Sequence, residues 1–179
     1  MKKRWFVLPA AGIALATAGV LALVAPASAV LPGEAVGLLD QQVRSSDPAL
    51  AYVEQFNLDA DTVRFAGETD DSRFWVGLGT DGKVCLIAVV GKPETGGAAC
   101  APADVVERSG AMMGLTPVKE SGVAEVIVYL VPDSVNVDDV PGPWERVGTN
   151  VLVADAADAR ASDVVSLARA DGTSLDLVP

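Results

Sequence analysis

The sequence predicts a mainly β fold: a compact antiparallel sheet or small barrel with one or two short helices, preceded by an N-terminal signal or anchor helix. Three observations carry this. From Val63 onward, runs rich in Val, Ile, Leu and Phe are divided at short intervals by turn residues. Two Asp-Gly pairs, Asp81-Gly82 and Asp171-Gly172, each stand between strand-like runs. The chain also opens on an apolar stretch with no charge between Arg4 and Glu34.

That stretch reads MKKRWFVLPAAGIALATAGVLALVAPASAV. Lys2, Lys3 and Arg4 precede the apolar run, and Ala27-Ser28-Ala29 follows it, with Ala27 and Ala29 as the small residues a signal peptidase recognises. Residues 1–29 are therefore expected to be a signal peptide. The alternative is an uncleaved single-pass anchor over residues 5–25, long enough to span a bilayer as a helix. The basic N-terminus stays inside in both cases, so the rest faces outward, secreted or held in the cell envelope. Residues 30–46 are expected to form a flexible stalk, with a short helix over 34–45 as the other reading. Residues 47–179 are expected to form a single extracytoplasmic β-rich domain.

Asp47-Pro48 supplies a helix cap and first position, and Ala49, Tyr52, Val53 and Phe56 follow at helical spacing. Segments 62–67, 72–79 and 83–90 then read as a three-stranded meander. Between the second and third lies GLGTDGKV, which matches both a dinucleotide fingerprint and most of a P-loop. A fingerprint must open a helix, yet the run after Gly82 is Val-Cys-Leu-Ile-Ala-Val-Val, and Val84 lacks the hydroxyl that a P-loop places on magnesium. The motif reads as a hairpin. A short helix follows Pro102 and ends at Gly110. AMMGLTP, VAEVIVYLVP and WERVGTNVLVAD read as one strand each, the second apolar on both faces and so central. VVSLARADGTSLDLVP reads as a second Asp-Gly hairpin.

Cys85 and Cys100 are the two cysteines, and they flank the turn-rich GKPETGG almost symmetrically. Antiparallel arms around that turn would bring them face to face, as a disulfide in an exported chain requires. Removing three of the 13 cations with residues 1–29 leaves ten Lys and Arg against 24 Asp and Glu. Such a field repels nucleic acid and leaves the membrane reachable only through residues 5–25, if uncleaved.

The chain has no histidine, which excludes Ser-His-Asp and Cys-His catalysis and His-based zinc sites from its own residues. No cofactor and no catalytic residue is expected. Asn57, Asp59, Asp61 and Glu68 fall at EF-hand positions 1, 3, 5 and 12, but Thr62 stands where the sharp turn needs glycine. An acidic turn between helix and strand is the reading of 57–68. A second acidic turn carries Asp133, Asp138, Asp139 and Glu145, with Trp144 among prolines as a candidate exposed contact.

The stretch SRFWVGLGTDGKVCLIAVVGKPETGGAACAPADVVERSGAMMGL, followed by VIVYLVPDSV, resembles a group of small exported actinobacterial proteins with one Cys pair. Shared features are Asp81-Gly82, Cys85-Leu86, Cys100 and the strand end from Tyr129 to Asp133, within roughly residues 62–137. The resemblance implies export and the disulfide, and no activity. The function expected is a non-enzymatic envelope or secreted binding module for an envelope protein or small ligand. The alternatives are a membrane-anchored accessory or sensor acting through a partner, and a carboxylate-dependent hydrolase.

Overall fold

The computed structural model describes residues 30–44 and 50–179. The expected signal or anchor segment, with Ala27 and Ala29, and the Asp47-Pro48 cap lie outside the described residues. Among the described residues no helix is long and apolar enough to cross a membrane.

The fold is mainly β and antiparallel throughout its ladders, in three sheets. The first is a meander of β1 (Leu58–Glu68), β2 (Ser72–Gly79), β3 (Val84–Val90) and β4 (Thr95–Ala101). The second holds β5 (Ala111–Leu115), β6 (Val126–Leu130), β7 (Glu145–Val147) and β8 (Val151–Asp155), in the order β5-β6-β8-β7. The third is the hairpin β9 (Val165–Ala168) and β10 (Ser174–Leu177). The helices are short: α1 (Pro32–Ala35), α2 (Leu50–Val53), α3 (Ala103–Ser109) and α4 (Ala156–Ala161).

Alternation along the strands explains the layering. Phe74 and Val76 of β2, with Val84, Leu86, Ala88 and Val90 of β3, face inward and pack on Met113, Leu115, Val128, Leu130, Val151 and Val153. The opposite face of the second sheet, including Ile127, Tyr129 and Leu152, is covered by the β9–β10 hairpin and α4. The opposite face of the first sheet carries Trp75, Cys85, Ile87 and Val89 beneath Tyr52, Val53 and Phe56. β3 and β6 are thus flanked by strands and covered on both faces, so they read as continuous apolar runs.

The closed barrel is not formed. The two large sheets pack face to face, and their edges approach without a ladder between them among the described residues. One seam is β1 against β7, where Gly67 and Gly148 allow close contact: a Cβ on Gly148 would lie 1.9 Å from the Ala66 carbonyl oxygen. The other is β4 beside β5, where Val118 N donates to Thr95 Oγ1 at 3.1 Å.

Both Asp-Gly turns are hairpins. Leu78 pairs with Val84 across the first, and Gly82 takes φ +79°. Gly172 takes φ +85° in the second, where Arg169 N donates to Thr173 O at 2.9 Å. The cysteines are directly opposed in the β3–β4 register and bonded, with their Cα atoms 4.0 Å apart. The crosslink closes a loop with a sequence separation of 15. Replacing both cysteines by alanine is expected to cost about 3 kcal/mol in the chain-entropy account, read as a lower denaturation midpoint in urea.

Three local expectations change. Residues 32–40 take the helical form rather than trailing as a stalk: α1 and a 3-10 turn at Gly37–Asp40 bury Ala35 and Val36 completely. WERVGTNVLVAD forms two strands, because Gly148 at φ +63° turns the chain between β7 and β8. α4 follows β8 directly, since the Asp155 carboxylate accepts from Ala157 N and Asp158 N and caps a helix at the strand end.

Candidate functional site

One end of the sandwich forms an acidic mouth. The β1–β2 turn runs through Thr69, Asp70 and Asp71, closed by Thr69 N donating to Ser72 O at 2.8 Å. Gly91 N donates to Asp71 O at 2.8 Å, which ties this turn to the one after β3. Across the mouth, register places Glu145 of β7 beside Val153 of β8, and Asp155 beside Val126 of β6. Three adjoining clefts of about 370, 260 and 530 Å³ share Thr69 and Asp71. The middle one has an apolar floor of Val123, Ala124, Val126, Pro143, Val153 and Ala154 under a rim of Asp71, Glu145 and Asp155.

The rim charges are not neutralised from within. Among the described residues, no ion pair involves Glu68, Asp70, Asp71 or Glu145. Lys92 and Arg73 line the first cleft, and Arg73 is paired with Glu94. Ser72 is a different kind of feature. It lies on the same face of β2 as inward Phe74 and lines two of the clefts at only 6% exposure. Its hydroxyl has no hydrogen-bond partner among the described residues.

A shelf of aromatic residues adjoins the first cleft. The Arg73 guanidinium lies 5.5 Å from the Trp75 ring centre, and Trp75 packs edge-on against Phe65. Tyr52 stacks on Phe56 and donates its hydroxyl to Glu94 Oε2 at 3.0 Å. Tyr52 also packs where Gly96 has no side chain, since a Cβ there would lie 2.4 Å from its ring. Burial, then the hydrogen bond and charge of Glu94, raise the Tyr52 pKa above the ordinary 10.0. Burial raises Tyr129 in the same direction, and its hydroxyl donates to Val178 O at 2.7 Å. A raised folded pKa stabilises the protonated phenol, so this contribution is complete below pH about 10 and is lost as pH rises through the folded values. Absorbance at 295 nm is expected to show both tyrosines ionising later than free tyrosine, with stability falling over the same alkaline range.

The other sequence candidates are dispersed. Asn57 donates to Thr80 Oγ1 and Asp59 Oδ1 accepts from Asp61 N, while Glu68 sits at the far end of β1. Residues 58–68 are strand with two register shifts rather than the expected acidic turn, and the described residues contain no cluster of three or more acids and cysteines able to hold a metal. Asp133 is structural: it accepts from Gly37 N at 2.9 Å and from Asn150 Nδ2 at 2.6 Å. Asp138 pairs with Arg146 at 2.8 Å. Trp144 is not an exposed contact but lies buried edge-on against Tyr129. Glu145 alone of that group reaches the mouth. Cys85 and Cys100 are bonded to each other, Cys85 buried among the residues of the shelf and Cys100 exposed on β4.

Sequence reasoning singled out none of Ser72, Asp70 and Asp71. The paired Asp residues were visible, but their distance from Glu145 is set by sheet packing. Comparison with protein-family models, curated proteins and solved structures gives no match.

Proposed function

We propose that the chain is an exported, non-catalytic binding module of the cell envelope or its surroundings, and that the acidic mouth is its contact surface. The observation that carries this reading is the pairing of an apolar floor with four carboxylates that have no cation partner among the described residues. Four uncompensated charges around one opening repel one another, and a complementary partner relieves that repulsion. The absence of histidine and the engagement of both cysteines in one disulfide support a binding rather than a catalytic role. Two sheets meet at the mouth, one stapled by the disulfide, which gives a rigid frame for recognition. The resemblance of residues 62–137 to exported actinobacterial proteins supports the compartment.

Site-specific photocrosslinking in cells tests the reading. A benzophenone side chain at Thr69, on the mouth, is expected to give a discrete adduct absent with the same group at Thr173, on the β9–β10 turn. Adding Asp71→Lys and Glu145→Lys should abolish it. No adduct, or the same adducts from both positions, would remove the mouth as the contact surface.

A further inference from the structure

Resting on that reading, we propose that the mouth recognises an extended basic peptide segment in which Lys or Arg alternates with aliphatic residues. The chemistry of the walls selects this class. Carboxylates rise from both sheets, Asp71 on one side and Glu145 on the other, beside Asp155, whose carboxylate caps α4, with Val126 and Val153 between them. A bare metal ion would meet the charges and leave the apolar floor in water. A polyamine would do the same, and an uncharged apolar ligand would leave the carboxylates unpaired. A strand-like peptide presents both surfaces together, because its side chains alternate between two directions.

Ser72 adds the polar contact that a peptide can complete. The residue is 6% exposed and lines the apolar cleft and the neighbouring one, and its hydroxyl makes no hydrogen bond among the described residues. A peptide backbone offers such a hydroxyl both a donor and an acceptor at every residue. The basic side chains sit towards Asp70, Asp71 and Glu145, in the clefts that Lys92 does not line. Lys92 at the other end of the mouth disfavours a longer cationic run there and sets a direction for the segment.

The probe is the peptide acetyl-KVKVK-amide, with acetyl-KGKGK-amide and acetyl-EVEVE-amide as comparators, titrated into the full-length protein. Amide NMR shifts are expected at Thr69, Asp71, Val126 and Glu145 with the first peptide. The glycine peptide should bind about tenfold more weakly, for the lost burial of two valines, and the acidic peptide not at all. Asp71→Asn with Glu145→Gln should weaken the first peptide about tenfold or more, and Ser72→Ala several-fold, with the thermal midpoint checking that each variant folds. Equal binding of the lysine-valine and lysine-glycine peptides, or shifts spread over the surface, would reduce the contact to unspecific charge attraction and overturn the proposal. A mouth-dependent crosslink at Thr69 with no peptide binding would overturn the peptide class and leave the binding module standing. Loss of both would remove the two together.

Discussion

A Gly148→Ala variant is expected to lose about 4 kcal/mol of stability, while Gly82→Ala loses only about 1. Both glycines hold left-handed backbone, at φ +63° and +79°, so both variants carry the same penalty for an L side chain there. The difference is what the new methyl meets. At Gly82 there is nothing within 4 Å, because the β2–β3 turn projects into open space. At Gly148 the methyl would stand 1.9 Å from the Ala66 carbonyl oxygen, a backbone atom that cannot rotate away. Relief requires β1 to shift, and β1 is bonded along β2 from Leu58 to Glu68. A Cβ on neighbouring Gly67 would lie 2.7 Å from Val147 Cγ1, so the seam has no slack on either side. Urea unfolding of the two variants measures the gap. Losses within about 0.5 kcal/mol of each other would mean that the sheets do not touch at this seam.

What was legible in the sequence was local. Asp81-Gly82 and Asp171-Gly172 specify hairpins because the turn conformation is a property of those two residues. The Cys85–Cys100 register follows from one turn and two short arms. The stacking of the sheets was not legible, since nothing in a strand's alternation says which other strand will cover it. Trp144 illustrates this: prolines around it suggest an exposed loop, yet the face of β6 that holds Tyr129 takes it in. The acidic turn expected over 57–68 is strand for a related reason. Strand pairing stretched the loop, so that Leu58 and Glu68 oppose Gly79 and Arg73, roughly 20 Å apart along β2. The mouth assembles Asp71 and Glu145 from segments some seventy residues apart, and spacing alone cannot express such a pair.

Val36→Asp is expected to cost about 3–4 kcal/mol, and to do so by releasing residues 30–40 from the body. Val36 and Ala35 are fully buried in the main core, and two hydrogen bonds fix them there. Asp133 N donates to Ala35 O at 3.0 Å, and Gly37 N donates to Asp133 Oδ2 at 2.9 Å. A carboxylate at position 36 with no cation beside it would cost more than the segment gains by docking, so detachment is the cheaper outcome. The measured loss is then the docking energy itself: the burial of a valine and an alanine, plus two hydrogen bonds of about 1 kcal/mol each. This makes a double-mutant cycle informative. Asp133→Ala alone loses the clamp on Gly37 together with the contact to Asn150. Combined with Val36→Asp it should cost about 1 kcal/mol less than the sum, because the clamp is already open. Strict additivity would show that Asp133 does not hold the segment. Coupling of that size would make α1 part of the domain, leaving only a few residues between its body and Ala29.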